Sequence, residues 1–289
     1  MNLADVSTVK GLLARHGFRF SRSLGQNFIV DPQVCPRMAG LCGAGKSSGV
    51  LEIGPGVGVL TRELAARAGK VAAVELDRTL RPVLEETLAG LSNVKLVWGD
   101  VLKLDLAALL REEFAGMDVF VCANLPYYIT SPAVMRFLEE KLPVSALTVM
   151  VQKEAAARLC AEPGTRACGA VSAAVRYYSE PKILFEVPRT CFFPPPKVDS
   201  AVIRLDVRQA PPPEVPVERD FFRVVRAAFG QRRKTAANSI SAGLALPKER
   251  VLAALREAGA EPAARAERLT FGQLARLSVL LGTGKETEK

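Results

Sequence analysis

The sequence predicts an α/β fold: a mostly parallel seven-stranded sheet followed by a small C-terminal α-helical domain. Three observations predict it. Short apolar runs alternate with helix-like stretches from residue 50 onward, two more β-rich runs follow without a clear helix between them, and a proline cluster then precedes three amphipathic stretches.

The strands come first. Val50–Ile53, Val71–Glu75, Val94–Trp98, Val119–Ala123 and Leu147–Val151 are compact apolar runs of the kind buried on both faces of a parallel sheet. Leu60–Ala68, Leu80–Leu88, Leu106–Phe114 and Ala133–Lys141 lie between them and carry helical patterns, so right-handed crossovers are expected. Ile183–Val187 and Ala201–Val207 read as an antiparallel hairpin closing the sheet edge. Pro211, Pro212, Pro213 and Pro216 mark a linker, which sets domains at 1–208 and 209–289. Beyond it Asp220–Phe229, Lys248–Ala258 and Phe271–Leu281 have apolar residues at helical spacing, with Asp220 as a candidate cap.

Composition narrows the function. The 289 residues are 49% apolar, which excludes a disordered chain. Apolar runs such as Leu277–Leu281 are far shorter than the roughly 20 residues that span a bilayer. Met1–Lys10 contains Asp5 and no apolar core, so no secretory signal is expected; the basic segment around Arg15, Arg19 and Arg22 reads as a helix of the mature protein. Cysteines at 35, 42, 122, 160, 168 and 191 form no C-x-x-C pair and fit buried thiols of a reducing, cytoplasmic compartment. A single histidine, His16, argues against a His triad, a His-ligated metal or a His general base, and it is expected at the surface. No metal is expected.

The net charge of +9 is uneven: +3 in residues 1–30, +1 in 31–208 and +5 in 209–289. A polyanion contacting both basic ends is the natural partner.

Val50-Leu51-Glu52-Ile53-Gly54-Pro55-Gly56-Val57-Gly58 leads from a strand into a helix. Gly54 and Gly56 allow a tight turn and close approach of backbone to a nucleotide-bearing ligand. The spacing differs from the dinucleotide pattern G-x-G-x-x-G. Glu75, ending the next strand, is placed to accept from ribose hydroxyls, and Asp100, after the third, to meet an adenine amine. Glu52 precedes the glycines, where a carboxylate suits an ammonium or sulfonium charge and repels a pyrophosphate. The set favours S-adenosylmethionine over NAD.

Asn124-Leu125-Pro126-Tyr127-Tyr128 follows the fourth strand. The Asn124 side-chain oxygen and a backbone carbonyl, assigned to Leu125, can accept the two N–H bonds of an exocyclic amine and aim its lone pair at a methyl carbon. Pro126 has no N–H to donate and stiffens the turn. Tyr127 can stack on an unstacked base. No strong base is needed, because the alkylated amine loses its proton to water; orientation carries the catalysis.

With these residues assembled, the chain resembles the KsgA/RsmA/Dim1 family of adenine-dimethylating ribosomal RNA methyltransferases. The carriers are Ser23-Leu24-Gly25-Gln26-Asn27-Phe28, Leu51-Glu52-Ile53-Gly54-Pro55-Gly56, Asn124-Leu125-Pro126-Tyr127 and Phe192-Phe193-Pro194-Pro195-Pro196-Lys197-Val198-Asp199-Ser200. The resemblance implies a Rossmann-like class I methyltransferase that uses S-adenosylmethionine, yields S-adenosylhomocysteine, and dimethylates two adjacent adenines near the 3′ end of small-subunit (16S) rRNA during subunit biogenesis. It implies a cofactor site lined by Asn27, Ile29, Gly54, Glu75, Asp100 and Asn124, with Phe193 packing on the flipped base opposite Tyr127. Position 29 is more often Leu in that motif. Phe229-Gly230-Gln231-Arg232-Arg233-Lys234-Thr235 resembles the family's basic segment; Arg232, Arg233 and Lys234, with Arg15, Arg19 and Arg22, are the expected phosphate contacts. Ala236-Ala237 replaces the Leu-Arg pair often found there. The expected protein is a monomer bound to the small ribosomal subunit and to no membrane. The alternatives are a macrolide-resistance-type 23S rRNA adenine methyltransferase, a non-catalytic ribosome-assembly or transcription factor of the same fold, and, more distantly, a dehydrogenase.

Overall fold

A computed structural model describes residues 1–21 and 24–282. Expectations placed on Arg22 and Ser23 lie outside the described residues. The chain forms two compact units, Met1–Ala156 with Glu180–Val207, and Ala157–Ser179 with Arg208–Lys289.

The first unit opens with α1 (Val6–Arg15), β1 (Phe28–Ile29) and α2 (Val34–Leu41), then alternates β2 (Gly49–Ile53), α3 (Val59–Arg67), β3 (Lys70–Glu75), α4 (Arg81–Thr87), β4 (Val94–Trp98), α5 (Leu106–Glu113), β5 (Val119–Asn124), α6 (Thr130–Glu139) and β6 (Ala146–Gln152). After α7 (Lys153–Leu159) and α8 (Ala170–Tyr178) come three more strands, β7 (Ser179–Val187), β8 (Phe192–Phe193) and β9 (Ser200–Val207). The main sheet has seven strands in the order β4-β3-β2-β5-β6-β9-β7. Strands β2 to β6 pair in parallel, and β9 runs antiparallel to β6. Strand order reverses at β2, which lies between β3 and β5, so the crevice at the carboxyl ends of these strands is where a ligand fits.

Strands β2 and β5 are almost fully buried, as their unbroken apolar runs require. Asp5 and Asp105 cap α1 and α5 by accepting from Thr8 N and Ala108 N. A second, two-stranded sheet pairs β1 with β8, Phe28 opposite Phe193 and Ile29 opposite Phe192. Nothing in the alternation of apolar residues signalled it. All six cysteines are free thiols, and Cys35, Cys42 and Cys122 share one buried cluster.

The second unit contains α8 and four further helices, α9 (Glu218–Phe229), α10 (Ala236–Leu244), α11 (Lys248–Glu257) and α12 (Phe271–Leu281). Its core joins Ala173 and Tyr177 to Phe221, Val224, Ile240, Leu255 and Leu274. Residues 157–179, which the linker position assigned to the first domain, therefore pack with the second unit. The Tyr177 ring stacks on Phe221 at 5.4 Å, which draws α8 there. Asp220 is not a cap: Val217 holds the cap position, and Asp220 sits buried in the first turn of α9 beside Arg223. No helix among the described residues is long and apolar enough to cross a membrane.

Candidate active site

The carboxyl ends of β2, β3, β4 and β5 open into one cavity, and the segment from Leu24 to Ile29 also lines it. Gly54 and Gly56 have φ of +70° and +59°, left-handed values that favour glycine. A Cβ on Gly56 would stand 3.0 Å from the Phe28 ring, so the turn is both conformationally and sterically reserved for glycine.

Three carboxylates line the cavity. Glu52 is buried, and its Oε2 has no hydrogen-bond partner among the described residues. Burial, with the nearby Glu75 carboxylate, pushes its pKa up to about 8. Glu75 accepts from Asp77 N at 2.8 Å and Gly56 N at 3.4 Å, yet burial still raises it above the ordinary carboxylate range. Asp100 lies at the rim, accepting from Leu102 N at 2.9 Å, with Lys103 Nζ at 3.7 Å. Below pH 8 Glu52 is therefore a neutral acid, and a cation brought beside it would favour its carboxylate form. Glu75 and Asp100 on neighbouring strand ends suit hydroxyl and amine donors. The set fits a nucleoside bearing positive charge.

The tetrapeptide sits on the same wall. Asn124, the last residue of β5, donates from Nδ2 to the Asn27 carbonyl at 3.2 Å, which leaves Oδ1 as its acceptor face. Asn27 in turn donates from its own Nδ2 to Gly25 O at 3.0 Å. Leu125 N donates to Met150 O at 3.1 Å, tying the loop to β6. Tyr127 shares a 3.0 Å hydrogen bond with Ser200 Oγ at the start of β9, so its ring is held from two strands. Asn27, Ile29, Glu52, Gly54, Gly56, Glu75, Asp100, Asn124, Leu125, Pro126 and Tyr127 all line the cavity.

Phe193 does not join them. Its neighbour Phe192 lines the cavity, while the Phe193 ring packs edge-on against Phe20 at 5.6 Å and under Lys10 Nζ at 4.8 Å. Adjacent residues of a strand face opposite sides, and the pairing of β1 with β8 decides which phenylalanine faces in.

Two supporting residues escaped the sequence reading. Gln26 bridges Ser21 N at 3.0 Å and Asp77 Oδ2 at 2.7 Å, fastening the N-terminal segment to the end of β3. Arg136 on α6 donates to Val101 O at 2.6 Å and Leu104 O at 2.7 Å, holding the loop that carries Asp100. Gln26 lay inside a recognised motif without an assigned task. Arg136 had no signal, because its partners are backbone carbonyls more than 30 residues away.

Of the expected phosphate contacts, Arg15 is paired with Glu86 at 2.5 Å, and His16 shares that carboxylate at 2.6 Å. Arg19 is exposed. Arg232, Arg233 and Lys234 are exposed in the turn before α10, whose cap is Thr235. Ala236 and Ala237 are buried in the second unit's core, so small side chains there serve packing.

The family model described as ribosomal RNA adenine dimethylase matches residues 17–281. The chain belongs to the ribosomal RNA adenine dimethylase family. Like the rest of that family it is a methyltransferase. It is 47% identical to ribosomal RNA small subunit methyltransferase A of Geobacillus thermodenitrificans and 48% identical to that of Bacillus mycoides, in each case over 96% of both chains. Among solved structures, the dimethylase resembles the 23S rRNA methyltransferase ErmE with a TM-score of 0.71 and 30% identity, covering 88% of this chain and 99% of that one. A dimethyladenosine transferase from Plasmodium falciparum shares the fold at the same TM-score with 23% identity, covering 86% and 95%.

Proposed function

We propose that the protein uses S-adenosylmethionine to dimethylate N6 of two adjacent adenines near the 3′ end of small-subunit rRNA, acting in the cytoplasm as a monomer on the assembling subunit. The observation that carries this reading is the Asn124 amide, anchored by its nitrogen and offering its oxygen beside a cavity lined by the buried Glu52, whose Oε2 has no partner among the described residues.

The cofactor, when bound, supplies a methyl carbon made electrophilic by a sulfonium. Glu52 answers its positive charge, Glu75 holds hydroxyls and Asp100 an amine. Asn124 Oδ1 and the Leu125 carbonyl accept the two N–H bonds of the adenine amine, withdrawing its lone pair from the ring and stabilising positive charge that develops on nitrogen. Tyr127 stacks on the base, an interaction worth about 1–3 kcal/mol. Water takes the proton.

The small-subunit target is supported by relatives near 48% identity over almost the whole chain; a 23S target is supported only by the more distant likeness to ErmE. Radiolabelled methyl transfer to unmodified small subunits and to large-subunit rRNA, followed by nucleoside analysis, tests the choice. Dimethyladenosine in the small subunit alone is expected; label confined to the large-subunit RNA overturns it.

A further inference from the structure

Only two aromatic side chains among the described residues are counted as exposed, Tyr128 at 54% and Phe20 at 38%. Tyr128 lines the cavity. The Phe20 ring contacts three others, Phe18 and Phe28 at 5.5 Å each and Phe193 at 5.6 Å. Phe28 is itself a cavity residue, and it follows Asn27, the residue whose carbonyl holds the Asn124 amide. A line of rings thus leads from beside the reacting centre out to solvent and ends at Phe20.

The chemistry around that end is selective. A Phe193 face is covered by the Lys10 ammonium and its surroundings include the Phe20 ring edge-on, so Phe20 is the ring with open surface. Lys10 is exposed on α1 with its ammonium 4.8 Å from the Phe193 ring that Phe20 touches, and the exposed Arg19 precedes Phe20 in sequence, so cations accompany the aromatic surface. A buried apolar partner would not need them. A planar base on a phosphate backbone needs both, one for stacking and one for charge.

We infer that Phe20, with Lys10 beside it, forms a subsite for the base and phosphate of an unpaired nucleotide next to the target adenine. This rests on the RNA-methylating reading above. An adenine turned out of its stack leaves a neighbour without one of its stacking partners. A ring fixed outside the cavity replaces that lost surface and stops the strand from collapsing back. Lys10 and Phe20 lie in the same basic N-terminal region, whose net charge of +3 suits the strand's phosphates.

The test uses the full chain and unmodified small subunits. Phe20→Leu keeps the apolar packing against Phe18, Phe28 and Phe193 but removes the flat face, Phe20→Trp keeps the face, and Lys10→Gln removes the exposed ammonium that lies over the Phe193 ring. Phe20→Leu is expected to raise KM for subunits about tenfold with kcat and calorimetric affinity for S-adenosylmethionine within twofold of wild type. Phe20→Trp is expected to keep the wild-type KM. Lys10→Gln is expected to weaken subunit binding and lower its salt slope by about one. An unchanged KM in Phe20→Leu overturns the subsite. So does an equal KM rise in Phe20→Leu and Phe20→Trp, or a parallel loss of cofactor affinity, since either marks a packing role. If Phe20→Leu fails to fold, an unchanged salt slope in Lys10→Gln overturns it and a lowered slope supports it. A wild-type protein that methylates no subunits refutes the underlying reading instead, and the subsite with it.

Discussion

The Asn124 side-chain nitrogen and the Asn27 carbonyl oxygen lie 3.2 Å apart, joining residues 97 positions apart in sequence. This bond leaves the amide oxygen of Asn124 as its acceptor, the end proposed to meet the substrate. Asn124→Asp replaces the donor by a second oxygen and sets it against the Asn27 carbonyl. Both Asn124→Asp and Asn124→Ala are expected to lower kcat about 10²- to 10³-fold, the scale of losing one preset electrostatic partner. Cofactor affinity should stay within a few-fold, and single-turnover methyl transfer beside calorimetry separates the two.

Glu75 is fixed at the cavity wall by hydrogen bonds from Gly56 N and Asp77 N, and we propose that it holds the cofactor's hydroxyls. Glu75→Ala is expected to weaken S-adenosylmethionine binding about 10- to 100-fold, the worth of a hydrogen bond to a charged group. Binding of small-subunit RNA should be nearly unchanged. Equal loss of both in a folded variant would refute the assignment.

Glu52 gives the site a pH dependence of known sign. Its pKa of about 8 exceeds the ordinary 4.5, so between those values the folded empty protein keeps a proton that the unfolded chain has released. Stability therefore falls as pH rises through this window, by at most about 1.4 kcal/mol per unit. A cationic ligand favours the carboxylate, so below pH 8 cofactor uptake should release a proton and tighten as pH rises. Glu52→Gln should flatten both slopes, leaving the contribution of Glu75, which burial also raises. Thermal melting across pH 5.5–8.5 and calorimetry in buffers of different ionisation heat measure them.

Arg136 satisfies two loop carbonyls with one guanidinium, a geometry that lysine cannot reproduce. Arg136→Lys is expected to cost about 1 kcal/mol of stability and to weaken cofactor binding about three- to tenfold, with kcat at saturation preserved. A melting curve and a KM-against-kcat comparison check this.

The exposed turn Arg232, Arg233 and Lys234 is expected to contact phosphates without reading bases. Replacing all three with Gln should lower subunit affinity and reduce the slope of log K against log salt by roughly two to three. A salt titration of filter binding reads the slope, and an unchanged slope counts against this patch.

The main sheet was legible because each of its five parallel strands is a short apolar run closed by a turn, and β2 is buried throughout. Helix α10 was not, since Ala236-Ala237-Asn238-Ser239 lacks the large apolar residues that make a helical stripe; its Thr235 cap was the available signal. The carboxylates at strand ends were legible for the same reason as the strands. Phe193 was misplaced because a two-residue strand carries no alternation to read, and its facing follows from its partner β1. Gln26 and Arg136 act on groups distant in sequence, one of them backbone, and so left no trace in spacing.

The stretch from Gly25 to Asn27 belongs to no strand of the large sheet, yet Gln26 buttons it to Asp77 and Asn27 braces the Asn124 amide. The aim of the Asn124 amide is thereby set from outside the sheet that carries it. Loosening the Gln26 fastening would leave the seven strands paired and slacken the amide that Asn27 steadies.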